Sequence, residues 1–443
     1  MKTLAALVRE LEDQLSACTR CGMCQAVCPL FRETGREAGV ARGKLAILKG
    51  LMQEAFREPR RSLEELSRCL LCGSCEANCP SGVRVLEIFL KARAILTGYL
   101  GLPPAKRLAL RNLVAHPARF DRFLAWAARV QGLVIKPADE LLGTSCARFT
   151  SPLADRHFKA LAPLPFHGLV EGRNGKGKNP KGKVLFFYGC LIDKVFPEIG
   201  QAVLKTLDHF RVEVIVPEGQ GCCGIPALSA GDLQTFQTLV NYNLELFSRE
   251  SCKVVVTACP TCAATIKKIW PVLARGLDAG KQELLAGLAE KTVDITDFLV
   301  NRIGVGPAAL GGSKEGGRGV TYHDPCHLRK SLGVSAPPRL LLKSLPGYDY
   351  REMVEADACC GCGGSFTLEH YELSKAVGKR KLGHIRQSAA ELVATACPAC
   401  LLQITDLLSR GGDRIRVRHV VELLAESLEA EETGRGERQV ICV

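Results

Sequence analysis

Aromatic residues are scarce, 6% of the 443 residues, which argues against nucleic-acid binding, because such surfaces interleave stacking rings with basic groups. Long apolar runs are missing as well. The longest weakly polar stretch, Phe123 to Ile135, is interrupted by Arg129 and Gln131 and falls short of the roughly 20 residues that a bilayer-spanning helix requires. The start, MKTLAALVRE, carries only the short apolar run Leu4 to Val8 before Arg9 and Glu10, without the h-region or cleavage site of a secretory leader. Nucleotide fingerprints fail on inspection. GKNPKGKV at 177–184 imitates a P-loop but ends in Val184 and precedes a strand pattern instead of following one. GVGPAA at 304–309 follows a helical pattern and puts Pro307 at the would-be helix start. No flavin or nicotinamide site is expected.

Cysteine is what the chain has in abundance. Its 22 cysteines are about 5% of the residues, below the density of a disulfide-stapled secreted domain, and nearly all fall in tight repeating spacings. Clusters or metals account for that pattern better than bridges do. The expectation is a soluble chain in a thiol-preserving cytoplasm. With 47% apolar residues there is room for two or three domains, each with its own core.

Two internal repeats set the organisation. In the first, Cys18, Cys21, Cys24, Cys28 and Pro29 recur 51 residues later as Cys69, Cys72, Cys75, Cys79 and Pro80. Apolar stripes at helical spacing surround these runs: Leu4, Leu7, Val8, Leu11 and Leu15; Leu45, Leu48, Met52 and Phe56; Val85, Ile88, Phe89, Ala92 and Ile95. Ser62 with Glu65 reads as a capping box. The first unit, 1–99, is therefore expected to be an all-helical ferredoxin module.

In the second repeat, offset by about 137 residues, Cys190, Cys222, Cys223, Cys259 and Cys262 recur as Cys326, Cys359, Cys360, Cys397 and Cys400. TACPTC at 257–262 matches TACPAC at 395–400, each after an apolar run. VLFFY at 184–188 and VEVIV at 212–216 read as strands, with Leu233, Phe236, Val240 and Phe247 marking a helix. The fold class expected is α+α/β: the helical module, a basic helical connector and linker over 100–182, then two repeated α/β cysteine-rich halves with largely parallel sheets, 183–303 and 319–430.

A cubane [4Fe-4S] cluster needs four thiolates, and C-x2-C-x2-C turns three of them inward from one loop. In two-run ferredoxins the last cysteine of each run crosses over, which assigns Cys18, Cys21, Cys24 and Cys79 to one cluster and Cys69, Cys72, Cys75 and Cys28 to the other. A tetrahedral zinc site would use two C-x2-C pairs and leaves a proline-ended run repeated in register unexplained. In the C-terminal halves, adjacent cysteines do not readily chelate one tetrahedral ion, but they suit different irons of one multi-iron cluster. Zinc stays the rival there. A thioredoxin-type dithiol leaves three cysteines of each half without a role, and a vicinal 222–223 disulfide is disfavoured in a reducing compartment.

Cys146, Cys252 and Cys442 fit no run and read as ordinary thiols, while Cys362 in CCGCGG is ambiguous. His323 and His327 flank Cys326 in YHDPCHL; proton delivery is one reading, and hydrogen bonding at a loop is the favoured one. No catalytic residue is assigned. The formal charge of +13 counts cysteines as neutral, whereas cluster ligands are thiolates. The excess gathers between the cysteine-rich regions: Lys106, Arg107, Arg111, Arg119, Arg122, Arg129 and Lys136 face only Asp121, and Arg173, Lys176, Lys178, Lys181 and Lys183 follow. Such runs suit a linker or docking surface, here for a partner or an anionic membrane.

Paired ferredoxin runs followed by two CCG halves resemble the iron–sulfur subunits of glycolate oxidase and its D-lactate dehydrogenase relatives, over nearly the whole chain. The layout is also similar to the catalytic subunit of membrane-bound heterodisulfide reductase and to an iron–sulfur subunit of anaerobic glycerol-3-phosphate dehydrogenase. The resemblance implies two cubane [4Fe-4S] clusters. It further implies one or two non-cubane [4Fe-4S] clusters held by Cys190, Cys222, Cys223, Cys259, Cys262 and their five counterparts. It implies a separate FAD-binding subunit that oxidises glycolate or D-lactate, with this chain passing electrons toward quinone or another membrane acceptor, no nucleic acid, and a peripheral seat on the inner face of the membrane. The alternative it implies is a heterodisulfide-type subunit reducing a disulfide at a CCG-bound cluster.

Overall fold

Helices build the first hundred residues of the computed structural model, which describes residues 4–55, 58–149, 155–170, 182–274, 277–312 and 316–440, with side chains to 430. Phe56, Arg173, Lys176, Lys178, Lys181 and Cys442 lie outside the described residues. The main helices are Ala41–Met52, Pro59–Ser67 and Val85–Leu100, with one-turn helices Met23–Ala26 and Ser74–Ala77 inside the two cysteine runs. Their stripes form the core: Val8, Leu11, Leu15, Leu45, Leu48, Val85, Ile88, Phe89 and Ala92 are all buried, each large side chain contributing about 1.5–3 kcal/mol. Ser62 is not a cap. Pro59 starts its helix three residues earlier, with a preset φ that suits a first turn. Ser62 sits inside the helix and donates its hydroxyl to the Glu58 carbonyl at 3.0 Å. Glu65 pairs with Arg36 at 3.0 Å and Arg68 at 3.2 Å instead.

The connector begins with helical segments Pro104–Leu108, Ala109–Val114 and Pro117–Val130. An antiparallel hairpin, Ile135–Asp139 with Thr144–Ala147, follows. Sequence periodicity gave no sign of it, because Pro137 and the exposed Lys136 break any alternation. The hairpin docks through Thr144, whose hydroxyl meets the Ser409 hydroxyl at 2.7 Å. The start of the Pro-, Gly- and Lys-rich stretch also departs from the linker expectation. Phe166, in the short helix Phe166–Leu169, is fully buried and lies edge-on to Phe186 and Tyr188 at 5.8 and 5.4 Å; such ring pairs stabilise beyond their area.

Each cysteine-rich half is built on a four-stranded, wholly parallel sheet. In the first, the spatial order is Val212–Ile215, Gly182–Phe186, Val255–Thr257, Thr292–Asp294. In the second it is Tyr348–Tyr350, Arg318–His323, Leu392–Thr395, Arg416–His419. Both therefore read 2-1-3-4 in chain order. Helices such as Pro197–His209 and Leu233–Phe247 cover the sheets, so strands 255–257 and 392–395 are buried throughout and their sequences are apolar without alternation. The halves interlock. The C-terminal helix Val420–Val440 packs across Pro197–His209, with Lys205 ion-paired to Glu429, and buried His419 meets the Ala258 carbonyl at 3.1 Å.

Candidate metal centre

In an open α/β sheet, ligands collect outside the carboxyl ends of the strands, at the point where strand order reverses. In both halves that point lies between the first and third strands. Cys190 and Cys326 follow the first strand, the CC pairs follow the second, and the CPxC motifs follow the third. Cys259 and Cys397 are the N-cap residues of helices that start on Pro260 and Pro398, so their sulfurs sit where unpaired backbone N–H groups and the helix dipole favour a thiolate. The glycine of each CCG is positional: Gly224 and Gly361 both have φ +90°, a conformation that side chains resist.

Within the first half the Cys190 and Cys222 sulfurs are 3.8 Å apart, and Cys223 and Cys259 both contact Cys262. In the second, Cys326 meets Cys359, and Cys400 contacts both Cys360 and Cys397. The two halves touch through sulfur, Cys259 against Cys397, with the Thr261 hydroxyl 3.8 Å from the Cys397 sulfur and 3.1 Å from Nδ1 of His327. Cys72 of the helical module meets Cys359. That contact, with Lys330 nearby, lowers the pKa of the Cys72 thiol.

The helical module divides its cysteines into two groups. Cys18, Cys21, Cys24 and Cys79 surround one small cavity, which Cys75 also lines. Cys28 from the first run instead lies among Cys69 and Cys72, and Cys75 interacts with all three. Cys75 stands between the two groups, beside Cys24 as well as Cys28. Buried cations sit around the second group. Arg93 donates to the carbonyls of Cys69 at 3.0 Å, Leu66 at 2.7 Å and Ser229 at 2.8 Å, and Lys330 donates to the Ser74 hydroxyl at 2.8 Å and the Asp357 carbonyl at 3.0 Å. Lys44 is fully buried near Cys28 and Cys69, and burial lowers its pKa.

Several positioning residues gave no signal in the sequence. Asn243 accepts from the Gly221 N–H at 2.9 Å and donates to the Cys222 carbonyl at 3.0 Å, while the Trp270 indole donates to the Cys223 carbonyl at 2.9 Å. In the second half Ser374 donates to the Gly361 carbonyl at 2.8 Å. Buried Lys381 donates to the Glu355 and Ala356 carbonyls at 2.8 and 3.0 Å, and desolvation lowers its pKa to about 8. Fully buried Asp324 holds Arg339 through two bonds of 3.0 and 2.7 Å, fixing the loop into Cys326. Asp324 apart, which stands in YHDPCHL, none of these belongs to a motif, so only a folded chain reveals them.

The remaining candidates separate cleanly. Cys362 is buried and shares a cavity of about 340 Å³ with Cys72, Cys326, Cys359 and Cys397, whereas Cys146 lies in the hairpin and Cys252 precedes a strand. His327 opens the helical segment His327–Ser331, and its Nδ1 meets the Thr261 hydroxyl. His323 ends a strand and is fully buried; neither ring nitrogen has an oxygen or nitrogen partner among the described residues, and the ring meets the Cys360 sulfur. The strand end aims that ring at sulfur instead of at backbone. The donor set suits iron–sulfur clusters. Every described cysteine is free, and thiols are gathered from three chain regions, as soft multi-iron centres require.

Residues 14–83 match the 4Fe-4S dicluster domain family, and residues 184–267 and 320–405 each match the cysteine-rich domain family CCG. Over 433 residues the chain is 30% identical to the probable glycolate oxidase iron–sulfur subunit of Bacillus subtilis, covering 94% of each. It is 29% identical to one subunit of the fumarate reductase (CoM/CoB) of Methanothermobacter marburgensis, covering 93% of this chain and 72% of that one. Lactate utilization protein A 2 of Bacillus cereus is 33% identical over 56% of this chain and 99% of its own length. A dicluster module ahead of two interlocked CCG sheets, matched end to end by such a relative, places this chain in the family of glycolate oxidase iron–sulfur subunits.

Proposed function

We propose that the chain is the electron-transfer subunit of a 2-hydroxy-acid dehydrogenase complex, acting on glycolate or D-lactate through a partner subunit that binds FAD, with quinone or another membrane acceptor downstream. Its units are 1–99, 100–182, 183–303 and 319–430. Cys18, Cys21, Cys24 and Cys79 hold one cubane [4Fe-4S] cluster and Cys69, Cys72, Cys75 and Cys28 the other. Cys190, Cys222, Cys223, Cys259 and Cys262, and Cys326, Cys359, Cys360, Cys397 and Cys400, hold non-cubane clusters. Bound clusters supply one-electron chemistry; the chain's own residues hold them close together, exclude water and set the surrounding charge.

One observation carries this reading: the four cysteine groups are continuous, joined by the Cys28 and Cys75 neighbourhood, then Cys72 with Cys359, then Cys397 with Cys259. A chain that merely stored metal would have no need of sulfur contact between separate folding units. A second reading, disulfide reduction at a CCG-held centre, draws support from the apolar cavity of about 340 Å³, which brings Leu86, Ile225, Ile269 and Val272 beside Cys326 and Cys359.

Peripheral membrane contact is supported by the helix Pro117–Val130, on which Phe123 and Trp126 are exposed beside Arg119, Arg122 and Arg129, a composition that suits an anionic interface. No described helix is long and apolar enough to cross a membrane. Charge reversal at the three arginines tests this point; unchanged sedimentation with anionic vesicles rejects it.

The direct test uses the complex purified without oxygen. Glycolate or D-lactate should bleach the iron–sulfur absorption when the flavoprotein is present. A preparation that dithionite reduces but neither hydroxy acid does refutes the hydroxy-acid reading, and one that a disulfide reoxidises but quinone does not favours the second. Iron near sixteen per chain supports occupied CCG halves, and iron near eight restricts clusters to the helical module, taking about four per cluster.

A further inference from the structure

The two cysteine-rich halves repeat in register, yet they differ at the end of the first strand. Three residues before Cys190 the first half has Phe187, fully buried and edge-on to Phe247 at 5.7 Å. Three residues before Cys326 the second half has His323, equally buried and paired in register with Thr395. Phenylalanine shows what that position needs for packing alone. Histidine in its place buries two polar nitrogens, neither of which has an oxygen or nitrogen partner among the described residues, and the group that meets the ring is the Cys360 sulfur.

Burying a polar atom without a strong partner costs about 1–3 kcal/mol in proteins, and sulfur is a weak acceptor, so the ring gains most from a metal ion held by the sulfurs that face it. The atoms facing it say what kind. A ring nitrogen of His323 and the sulfurs of Cys360 and Cys400 all lie within 4.8 Å of one another, and all three residues are buried. Two thiolates and an imidazole converging on one point form a mixed sulfur and nitrogen donor set for a transition metal.

We propose that His323 is a nitrogen ligand of the iron–sulfur centre in the second cysteine-rich half, so that the two halves hold chemically different centres: thiolate alone in the first, thiolate with imidazole in the second. The inference rests on the reading that the CCG halves carry iron. A neutral imidazole donates without adding negative charge, and histidine ligation raises the potential of iron–sulfur centres relative to thiolate alone. His323 therefore makes the second half the more easily reduced of the two. This asymmetry lies on the side of the chain that Cys72 contacts through Cys359.

The test is pulsed electron paramagnetic resonance on the anaerobic holoprotein, with and without 15N-labelled histidine, beside iron and acid-labile sulfide analysis. The expected result is a strong nitrogen coupling that changes with the label in the wild type and is lost in His323→Phe, which copies Phe187. The second-half signal should also titrate at a lower potential in His323→Phe. The wild-type label experiment stands without the variant, should His323→Phe fold poorly. Iron near sixteen with no label-sensitive coupling of ligand strength overturns the proposal and leaves the cluster reading intact. Iron near eight overturns the cluster reading of the halves, and the proposal with it.

Discussion

Replacing Gly361 by alanine adds a methyl group to a position closed on two counts. The backbone there is left-handed, φ +90°, and an added Cβ would lie 2.3 Å from the Ser374 carbonyl oxygen and 3.3 Å from the Gly378 nitrogen. The conformation alone costs about 1–2 kcal/mol for a residue with a side chain. Relief of the clash requires moving the helix Tyr371–Gln387 against the CC loop, which adds about 1–3 kcal/mol. Gly224→Ala is milder, because its Cβ would meet the Phe236 ring at 2.8 Å, and a ring edge can tilt. Gly364→Ala, at φ +61° with nothing within 4 Å, should show the conformational term by itself, about 1 kcal/mol. The expected order of lost thermal stability is 361, then 224, then 364. Loss of iron from the second half should accompany only the first. Equal melting midpoints and equal iron in Gly361→Ala and Gly364→Ala would refute the claim that the CCG glycine is fixed by close packing.

Three further outcomes are expected. Asn243→Ala leaves the Gly221 N–H and the Cys222 carbonyl without their partner, at about 1–3 kcal/mol each; iron analysis should show selective loss from the first half. Arg93→Met strips the carbonyls of Leu66, Cys69 and Ser229 of a buried donor, costing about 1–3 kcal/mol for each left unpaired. Lysine should rescue it poorly, since one ammonium lacks the planar fork that reaches all three, and the melting midpoints of the two variants check this. Asp294 is buried with Oδ2 unpartnered, and burial raises its carboxyl to about 7 from 3.8. A raised folded-state value means that stability is full at low pH and declines as pH rises toward 7, by up to about 4 kcal/mol. Asp294→Asn keeps the cap to the Thr296 N–H, now at 2.8 Å, and should flatten the fall in melting midpoint between pH 5 and pH 8; parallel curves for the two proteins would count against it.

Much of the site was legible before folding because cluster ligation constrains cysteine spacing directly. C-x2-C-x2-C with a trailing Cys-Pro, given twice, fixes which sulfurs one loop can present, and in the fold Cys28 lies near Cys69, Cys72 and Cys75. The parallel halves were legible for a similar reason: strands buried on both faces, such as Val255–Thr257 and Leu392–Thr395, read as short unbroken apolar runs. The hairpin at 135–147 was not, because a short edge pair with Pro137 carries no periodic signal and owes its place to contacts such as Thr144 with Ser409.

Sequence by itself, then, determined the kind of chemistry and the repeat that carries it, since ligand type and local spacing are covalent properties of the chain. Only the tertiary structure decided which groups adjoin. Cys72 and Cys359 are 287 positions apart, Cys259 and Cys397 are 138 apart, and no local rule relates them. They meet because helical module and sheets bury their apolar faces against one another, and burial is indifferent to separation along the chain. The same holds for His323: its place in the sequence suggested a loop, and only the packed strand end turned its ring toward Cys360 and Cys400.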